Sequence, residues 1–232
     1  MKILGFDSSA KTASVALCDE NELIAQYFQN SGLTHSRTLL PMAEDMLKNL
    51  GIELSEIDRL AVANGPGSFT GIRIGVSTVK GLAWSKDIPV CGVSTLEAAA
   101  YNGVVLPEGS LVCSVMDARR NQLYNALFEM CDGAPVRLSP DRAIDMGELA
   151  EEIKKYNKFT YLVGDGANLC YNALGKFNCT VILAPEPLRF QSAWGVCMAS
   201  ASKAPQTVHE LLPVYLRLSQ AERERQGRVI GK

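Results

Sequence analysis

"ILGFDSSAKTASVALC", residues 3–18, places an apolar run that ends in Asp7 before a polar turn and a second apolar run. Apolar runs separated by short polar turns are typical of neighbouring strands. A third run follows at 23–28, and residues 35–50 then repeat apolar side chains at helical spacing. The pattern predicts three strands followed by a helix, which Gly51 ends.

The same order of elements returns in the second half of the chain. Asp117 ends an apolar run as Asp7 does, and residues 145–156 again have helical spacing. A tandem duplication of one β-β-β-α-β-α unit explains both halves, so we expect an α/β protein with two lobes. We place the N-terminal lobe at 1–103 and the C-terminal lobe, with a terminal tail, at 104–232.

Composition excludes several classes of protein. The 232 residues are 47% hydrophobic and carry 23 basic against 25 acidic side chains, a net charge of −2. A protein that grips nucleic acid by itself needs a clustered basic surface, so we expect no direct nucleic-acid grip. The apolar runs are too short for a membrane span or a secretion signal. Seven scattered cysteines without a C-x-x-C pair predict free thiols and a cytoplasmic location.

A glycine-rich loop, "GPGSFTG" at 65–71, invites comparison with phosphate-binding loops. A P-loop requires Lys after its last glycine, and Ile72 stands there instead. The spacing is also one residue too long for the dinucleotide fingerprint. Two hypotheses remain open. The loop is either an anion cradle at a helix start, or a tight turn that needs Gly65 and Gly67 while Ser68 or Thr70 caps the next helix.

The helix that follows this loop carries a stripe of mainly small residues, Gly71, Gly75, Thr78 and Leu82. Glycine inside a helix costs about 0.5–1 kcal/mol relative to alanine, so Gly75 needs a reason. Small side chains four residues apart allow another backbone to approach closely. The approaching element is either the first helix of this chain or a helix of a partner.

The titratable residues offer few candidates for catalysis. Asp7 and Asp117, each at a strand end, could orient a metal-bound phosphate or water between the lobes, or could accept hydrogen bonds within their own turns. The two histidines, His35 and His209, are too few and too far apart to suggest a metal cluster. We therefore expect no metal site.

Seven segments, in the order in which they occur, resemble the TsaB (YeaZ) family of bacterial proteins. The resemblance spans nearly the whole chain, and "GPGSFTGIR" is its most specific segment. It implies a fold of the actin/Hsp70/sugar-kinase (ribonuclease H-like) type. The segments are "ILGFDSSAKTASVAL", "HSRTLLPM", "GPGSFTGIRIG", "PVCGVSTLEA", "MDARRNQLY", "VGDGA" and "PVYLR".

The resemblance also implies a function, that of a non-catalytic scaffold. The family is required for N6-threonylcarbamoyladenosine (t6A) at position 37 of tRNAs that read codons beginning with A. It acts by binding and activating TsaD together with the ATPase TsaE, meets tRNA only through that complex, and forms a homodimer when TsaD is absent. TsaD carries two metal-binding histidines where this chain has Thr95 and Ala99. Neither is a good ligand for iron or zinc, so the resemblance implies no catalysis by this chain alone.

The family's helical interface maps onto the two helices of the first half. The predicted partner-facing residues are His35, Leu39, Gly71, Arg73, Gly75, Thr78 and Leu82. No cofactor is expected to be required, although ATP or ADP with Mg²⁺ could bind weakly. The residues predicted for that weak contact are Asp7, Ser8, Gly65, Gly67 and Ser68.

Two competing functions remain as hypotheses. The first is a nucleotide-dependent, ATPase-like enzyme that uses the cleft between the lobes. The second is a peptidase, a label that the wider family has carried, but the sequence offers no credible metal site or nucleophile triad.

Overall fold

The computed structural model of the chain describes residues 1–118 and 122–217. The first half contains β1 (Lys2–Asp7), β2 (Ala13–Asp19), β3 (Glu22–Gln29), α1 (His35–Leu50), β4 (Arg59–Gly65), α2 (Phe69–Lys86), β5 (Val90–Ser94) and α3 (Thr95–Ala100). The second half contains β6 (Leu111–Asp117), β7 (Gln122–Cys131), β8 (Ala134–Arg137), β9 (Arg142–Asp145), α4 (Met146–Tyr156), β10 (Thr160–Val163), α5 (Ala167–Gly175), β11 (Val181–Leu183) and α6 (Ala193–Ala201).

Two mixed sheets with the same strand order form the framework. The first runs β3-β2-β1-β4-β5, and the second runs β8-β7-β6-β10-β11 with β9 paired to β7. In each sheet the central strand, β1 or β6, is antiparallel to the strand that follows it and parallel to the strand after the helix. The predicted duplication is therefore confirmed, with β9 as an addition in the second half.

Amphipathic helices cover one face of each sheet. Helices α1 and α2 pack their apolar sides on the first sheet, and α4 and α5 pack on the second. Gly51 ends α1 in the left-handed conformation at φ 65°, as the sequence predicts. The main members of the first core are Leu4, Phe6, Val15, Leu39, Met46, Val62, Ile72 and Val79.

Helix α6 brings the chain back to the first sheet. Gly5 of β1 has no room for a Cβ, because the Cys197 thiol and the Ala193 carbonyl of α6 occupy that space. Beyond α6, Gln206 pairs with Val90 of β5. Residues of the predicted C-terminal lobe (104–232) thus pack on the sheet of the predicted N-terminal lobe (1–103). The boundary between 103 and 104 stays a prediction.

The cysteines and the helices bear on two further expectations. All seven cysteines are free thiols, as the scattered spacing predicts. Five of them are buried, namely Cys18, Cys91, Cys113, Cys170 and Cys197. Across residues 1–118 and 122–217, no helix has both the length and the apolar character needed to cross a membrane.

Candidate functional site

Asp7 ends β1 and is completely buried. The amide and the hydroxyl of Ser9 both donate to Asp7 Oδ1, at 2.9 and 2.8 Å. Asp7 Oδ2 is buried and has no hydrogen-bond partner among the described residues. Burial raises the pKa of Asp7 to about 6, against the lowering effect of the two Ser9 bonds and of nearby His35. A proton therefore resides on this carboxyl more readily than on an exposed aspartate.

Ser8 ties the turn after β1 to the start of α2. Its hydroxyl donates to the Gly71 carbonyl at 2.9 Å. Its own carbonyl oxygen occupies the space that a Cβ on Gly71 would need. Gly75, one turn later, has the Ser8 hydroxyl 2.7 Å and a Val62 methyl 3.1 Å from where its Cβ would lie. The small residues of α2 thus allow a close approach within this chain.

The glycine-rich loop is bonded to the same turn. The Ser68 amide donates to the Ser9 carbonyl at 2.7 Å, and a Cβ on Gly67 would collide with that carbonyl. Ser68 caps α2 by accepting from the Gly71 amide at 3.2 Å, so of the two predicted capping residues it is Ser68, and not Thr70, that serves as N-cap. Gly65, at φ +137°, lies against Val214. These contacts support the tight-turn hypothesis, and nucleotide contact by this loop stays a prediction.

The second lobe contributes Asp165, which the sequence analysis did not single out. It follows β10 within the glycine turn of "VGDGA" and carries a pKa of about 6. Burial raises this pKa, and the charges of Asp117 and Asp7 raise it further, while the side chains of Gln191 and Lys11 lower it. The duplication could have pointed to Asp165, because the turn that carries it corresponds to the glycine-rich loop of the first lobe.

The two aspartates predicted at strand ends differ in their exposure to solvent. Asp7 is buried, whereas Asp117, at the end of the equivalent strand β6, is exposed. In the part of the chain that the structure describes, no three His, Cys, Asp or Glu side chains are grouped so that they could hold a metal ion. Asp7 thus holds a buried carboxyl whose Oδ2 has no hydrogen-bond partner among the described residues.

The predicted helical interface is partly corrected by burial. Leu39 is 1% exposed and belongs to the first core. Gly71 and Gly75 are buried against Ser8 and Val62, so they cannot face a partner. At Gly71 and Gly75 the close approach is therefore made by the turn after β1 and by β4, whereas α1 contacts α2 elsewhere. Thr78 and Leu82 remain half-buried and accessible.

His35 and Arg73 also make contacts within the chain. His35 Nε2 lies 2.8 Å from the Ala10 carbonyl, so the imidazole faces the turn after β1. The Arg73 guanidinium stacks 3.8 Å from the Phe69 ring centroid, and its Nε donates to the Tyr215 hydroxyl at 2.8 Å. Arg73, predicted at the edge of an interface, thus contacts Tyr215, which lies far from it in the sequence.

Two large apolar side chains are exposed on these helices instead. Leu40 on α1 is 37% exposed, and Trp84 near the end of α2 is 68% exposed. The Trp84 ring packs edge-on against His209, with ring centroids 5.5 Å apart. We call the accessible residues Leu40 of α1 and Thr78 and Leu82 of α2 the helical face. Trp84, two residues after Leu82, lies on another side of α2.

Comparison with known proteins identifies the family. The model for "TsaD: tRNA N6-adenosine threonylcarbamoyltransferase" matches residues 29–184. The "tRNA threonylcarbamoyladenosine biosynthesis protein TsaB" of Bacillus subtilis (strain 168) is 31% identical over 229 residues, which are 96% of this chain and 96% of that protein. The chain belongs to the TsaB family. The resemblance noted in the sequence is thereby confirmed.

Solved structures agree with membership of the TsaB family. An uncharacterised Pseudomonas aeruginosa protein, described as similar to the peptidase YeaZ, superposes with a TM-score of 0.81 at 25% identity, covering 93% of this chain and 99% of that one. The inorganic polyphosphate/ATP-glucomannokinase of Arthrobacter sp. strain KM reaches a TM-score of 0.50 at 10% identity, covering 86% and 96%. The second likeness shows the fold alone. The predicted actin/Hsp70/sugar-kinase type of fold is confirmed.

Thr95 and Ala99 can now be placed in this TsaB-family structure. Thr95 is the first residue of α3, and Ala99 lies one helical turn later. Both are completely buried. Side chains four residues apart lie on the same side of a helix, so this pair offers one hydroxyl and one methyl group where two ligands would be needed for a metal.

Proposed function

We propose that the chain is a non-catalytic scaffold subunit in t6A formation, acting on A37 of tRNAs that read codons beginning with A. It binds and activates a TsaD-family partner together with TsaE, works in the cytoplasm, and meets tRNA only through the complex. The observation that carries the proposal is the pair Thr95 and Ala99 within a TsaB-family fold. A hydroxyl and a methyl group supply no imidazole or thiolate for iron or zinc.

The hydrogen bonds around Asp7 support a scaffold function over a catalytic one. Both Ser9 donors are used on Asp7, and the Ser68 amide is used on Ser9. Donors that are already paired inside the protein are not free to stabilise a developing charge. The same buried pairing of Ser9 argues against a peptidase nucleophile at this position.

Reconstitution tests the scaffold directly. The chain alone, with tRNA and the threonylcarbamoyl donor, should form no t6A, and adding the cognate TsaD and TsaE proteins should start the reaction. Formation of t6A is measured by mass spectrometry of digested tRNA. A reaction of equal rate when this chain is omitted from the full mixture would contradict the proposal.

The helical face is the surface we assign to the partner. Leu40→Asp should weaken binding of the cognate TsaD-family protein about tenfold to a hundredfold, because an apolar side chain at the centre of an interface is worth about 2 kcal/mol or more. The same change should reduce the homodimer that we expect when the partner is absent. Calorimetry measures the first effect and sedimentation the second.

Leu169→Asp is the matched control for this variant. Leu169 lies on α5 of the second lobe and is 43% exposed, slightly more than Leu40. It should leave partner affinity unchanged. Equal losses for the two variants would show that the helical face is not the binding surface.

A weak nucleotide-binding, ATPase-like enzyme is the second candidate function. The observation that favours it is Asp7 Oδ2, a completely buried oxygen without a hydrogen-bond partner among the described residues. The scaffold requires no cofactor of its own, and ATP or ADP with Mg²⁺ would bind weakly. Calorimetry with ATP and Mg²⁺ that gave tight binding, abolished in Asp7→Asn, would favour the enzyme over the scaffold.

A further inference from the structure

Residues 206–217 lie along the outer edge of α2. His209 packs edge-on against Trp84 near the end of the helix, with ring centroids 5.5 Å apart. Tyr215 stacks on Phe69 at its start, at 4.6 Å and an interplanar angle of 25°. The segment therefore runs antiparallel to α2 over most of its length. We call residues 206–217 the strap.

An aromatic and cationic cluster fastens the strap to the first turns of α2. The Arg73 guanidinium lies beside the stacked rings, 3.8 Å from the Phe69 centroid and 5.8 Å from that of Tyr215. The Arg73 Nε–H also donates to the Tyr215 hydroxyl at 2.8 Å. Stacked aromatic rings attract each other, and an aromatic ring attracts a nearby guanidinium. Tyr215 is thus held by two different interactions with one helix.

Backbone contacts fasten the middle of the strap to the end of β4. The Val214 amide donates to the Asn64 carbonyl at 2.7 Å, and the Asn64 side-chain amide donates to the Leu212 carbonyl at 2.9 Å. Gly65 has no room for a Cβ because the Val214 carbonyl lies there. The strap is therefore packed directly on the strand end that leads into the glycine-rich loop.

The far end of the strap contacts the second lobe. Arg217 Nη1 donates to the Ala118 carbonyl at 2.9 Å. Ala118 follows directly after β6, the central strand of the second sheet. One short segment thus joins the outer edge of α2 to the central strand of the other lobe.

We propose that the strap couples α2 to the second lobe, so that a partner on the helical face also stabilises the end of β6. The role of the partner rests on the proposed function; the coupling itself is a property of the free chain. Arg217 acts here as a positioning residue, because it touches neither the helical face nor the cleft carboxyls in the described contacts.

Hydrogen–deuterium exchange of the full chain tests the coupling without a partner. Arg217→Ala removes the bond to Ala118 and leaves every contact of Tyr215 in place. A charged hydrogen bond contributes to the stability of the segments that it joins. Its loss should therefore accelerate exchange of amides 72–76 in α2 about fivefold to tenfold. Unchanged exchange in α2 would overturn the proposal.

Arg189→Ala is the matched control. Arg189 Nε also donates to a backbone carbonyl, that of Ala184 at 3.0 Å, but this bond lies within the second lobe. The control should leave exchange in α2 at the wild-type rate. Acceleration of α2 by both variants would show general loosening, and it would overturn the coupling.

The second arm adds the cognate TsaD-family protein. In the wild type, binding should slow exchange in α1, in α2 and at amides 111–118. In Arg217→Ala the slowing at 111–118 should be lost while that of α1 and α2 persists, and slowing retained at 111–118 would overturn the proposal. If the partner slows exchange nowhere in the wild type, the proposed function is contradicted, whereas the coupling is still decided by the free chain.

Discussion

Replacing Gly71 by alanine is expected to lower the free energy of unfolding by about 2–3 kcal/mol. The new methyl group would meet the carbonyl oxygen of Ser8 at a separation that real Cβ atoms do not show. This neighbour is backbone, so it cannot rotate aside, and the shift that relieves the contact also disturbs the 2.9 Å bond from the Ser8 hydroxyl to the Gly71 carbonyl. Loss of that packing outweighs the preference of the helix for alanine.

Two other glycines of α2 provide the controls. Gly81→Ala adds a methyl group where nothing lies within 4 Å, so it should stabilise the protein by about 0.5–1 kcal/mol. Gly75→Ala should fall between the two, since its nearest neighbour, at 2.7 Å, is the movable hydroxyl of Ser8. Urea denaturation followed by circular dichroism measures all three. Equal stability of the Gly71 and Gly81 variants would show that the close contact with Ser8 does not govern α2.

Asp7→Asn is expected to flatten the dependence of stability on pH. The pKa of Asp7 rises from 3.8 to about 6 through burial, so the folded state binds this proton more tightly than the unfolded state does. Stability is highest below the unfolded pKa and falls as the pH rises through about 6. The shift corresponds to about 2–3 kcal/mol between pH 4 and pH 8 for this completely buried group.

The measured quantity is the difference between the unfolding free energies at pH 4 and pH 8. Asparagine keeps an oxygen that accepts the Ser9 bonds but buries an amide without a partner, so the absolute stability is a less direct readout. The pKa of Asp165 is also raised, so part of the dependence of stability on pH should remain in Asp7→Asn. Asp87→Asn, at the exposed left-handed cap of α2, is the control. A wild-type slope in Asp7→Asn would contradict the assigned burial effect.

The order of elements in the first lobe was predictable from sequence because its signals are local. Apolar runs separated by polar turns mark β1, β2 and β3, and Gly51 marks the end of α1. The recurrence of the pattern around Asp117 then predicts the second sheet. Ser68 was predictable as a cap for the same reason, since its partner Gly71 is three residues away.

Long-range packing accounts for what the sequence did not show. Helix α6 is buried on nearly all sides, so it lacks the one-sided apolar stripe by which a helix is recognised. The small residues of α2 did predict a close approach, but Ser8, which makes it, comes from a distant part of the chain. Tyr215 and Asp165 were missed in the same way, because their roles depend on neighbours that only folding brings together.

Formation of t6A by the Asp7→Asn variant, assayed with the cognate TsaD and TsaE proteins and tRNA, tests the scaffold function most directly. A scaffold uses its helical face and needs no ionisable group in the cleft, so we expect a rate within about twofold of the wild type. A catalytic carboxyl contributes about a hundredfold or more. A loss of that size, with the variant folded and bound to its partner, would contradict the scaffold and establish chemistry at Asp7.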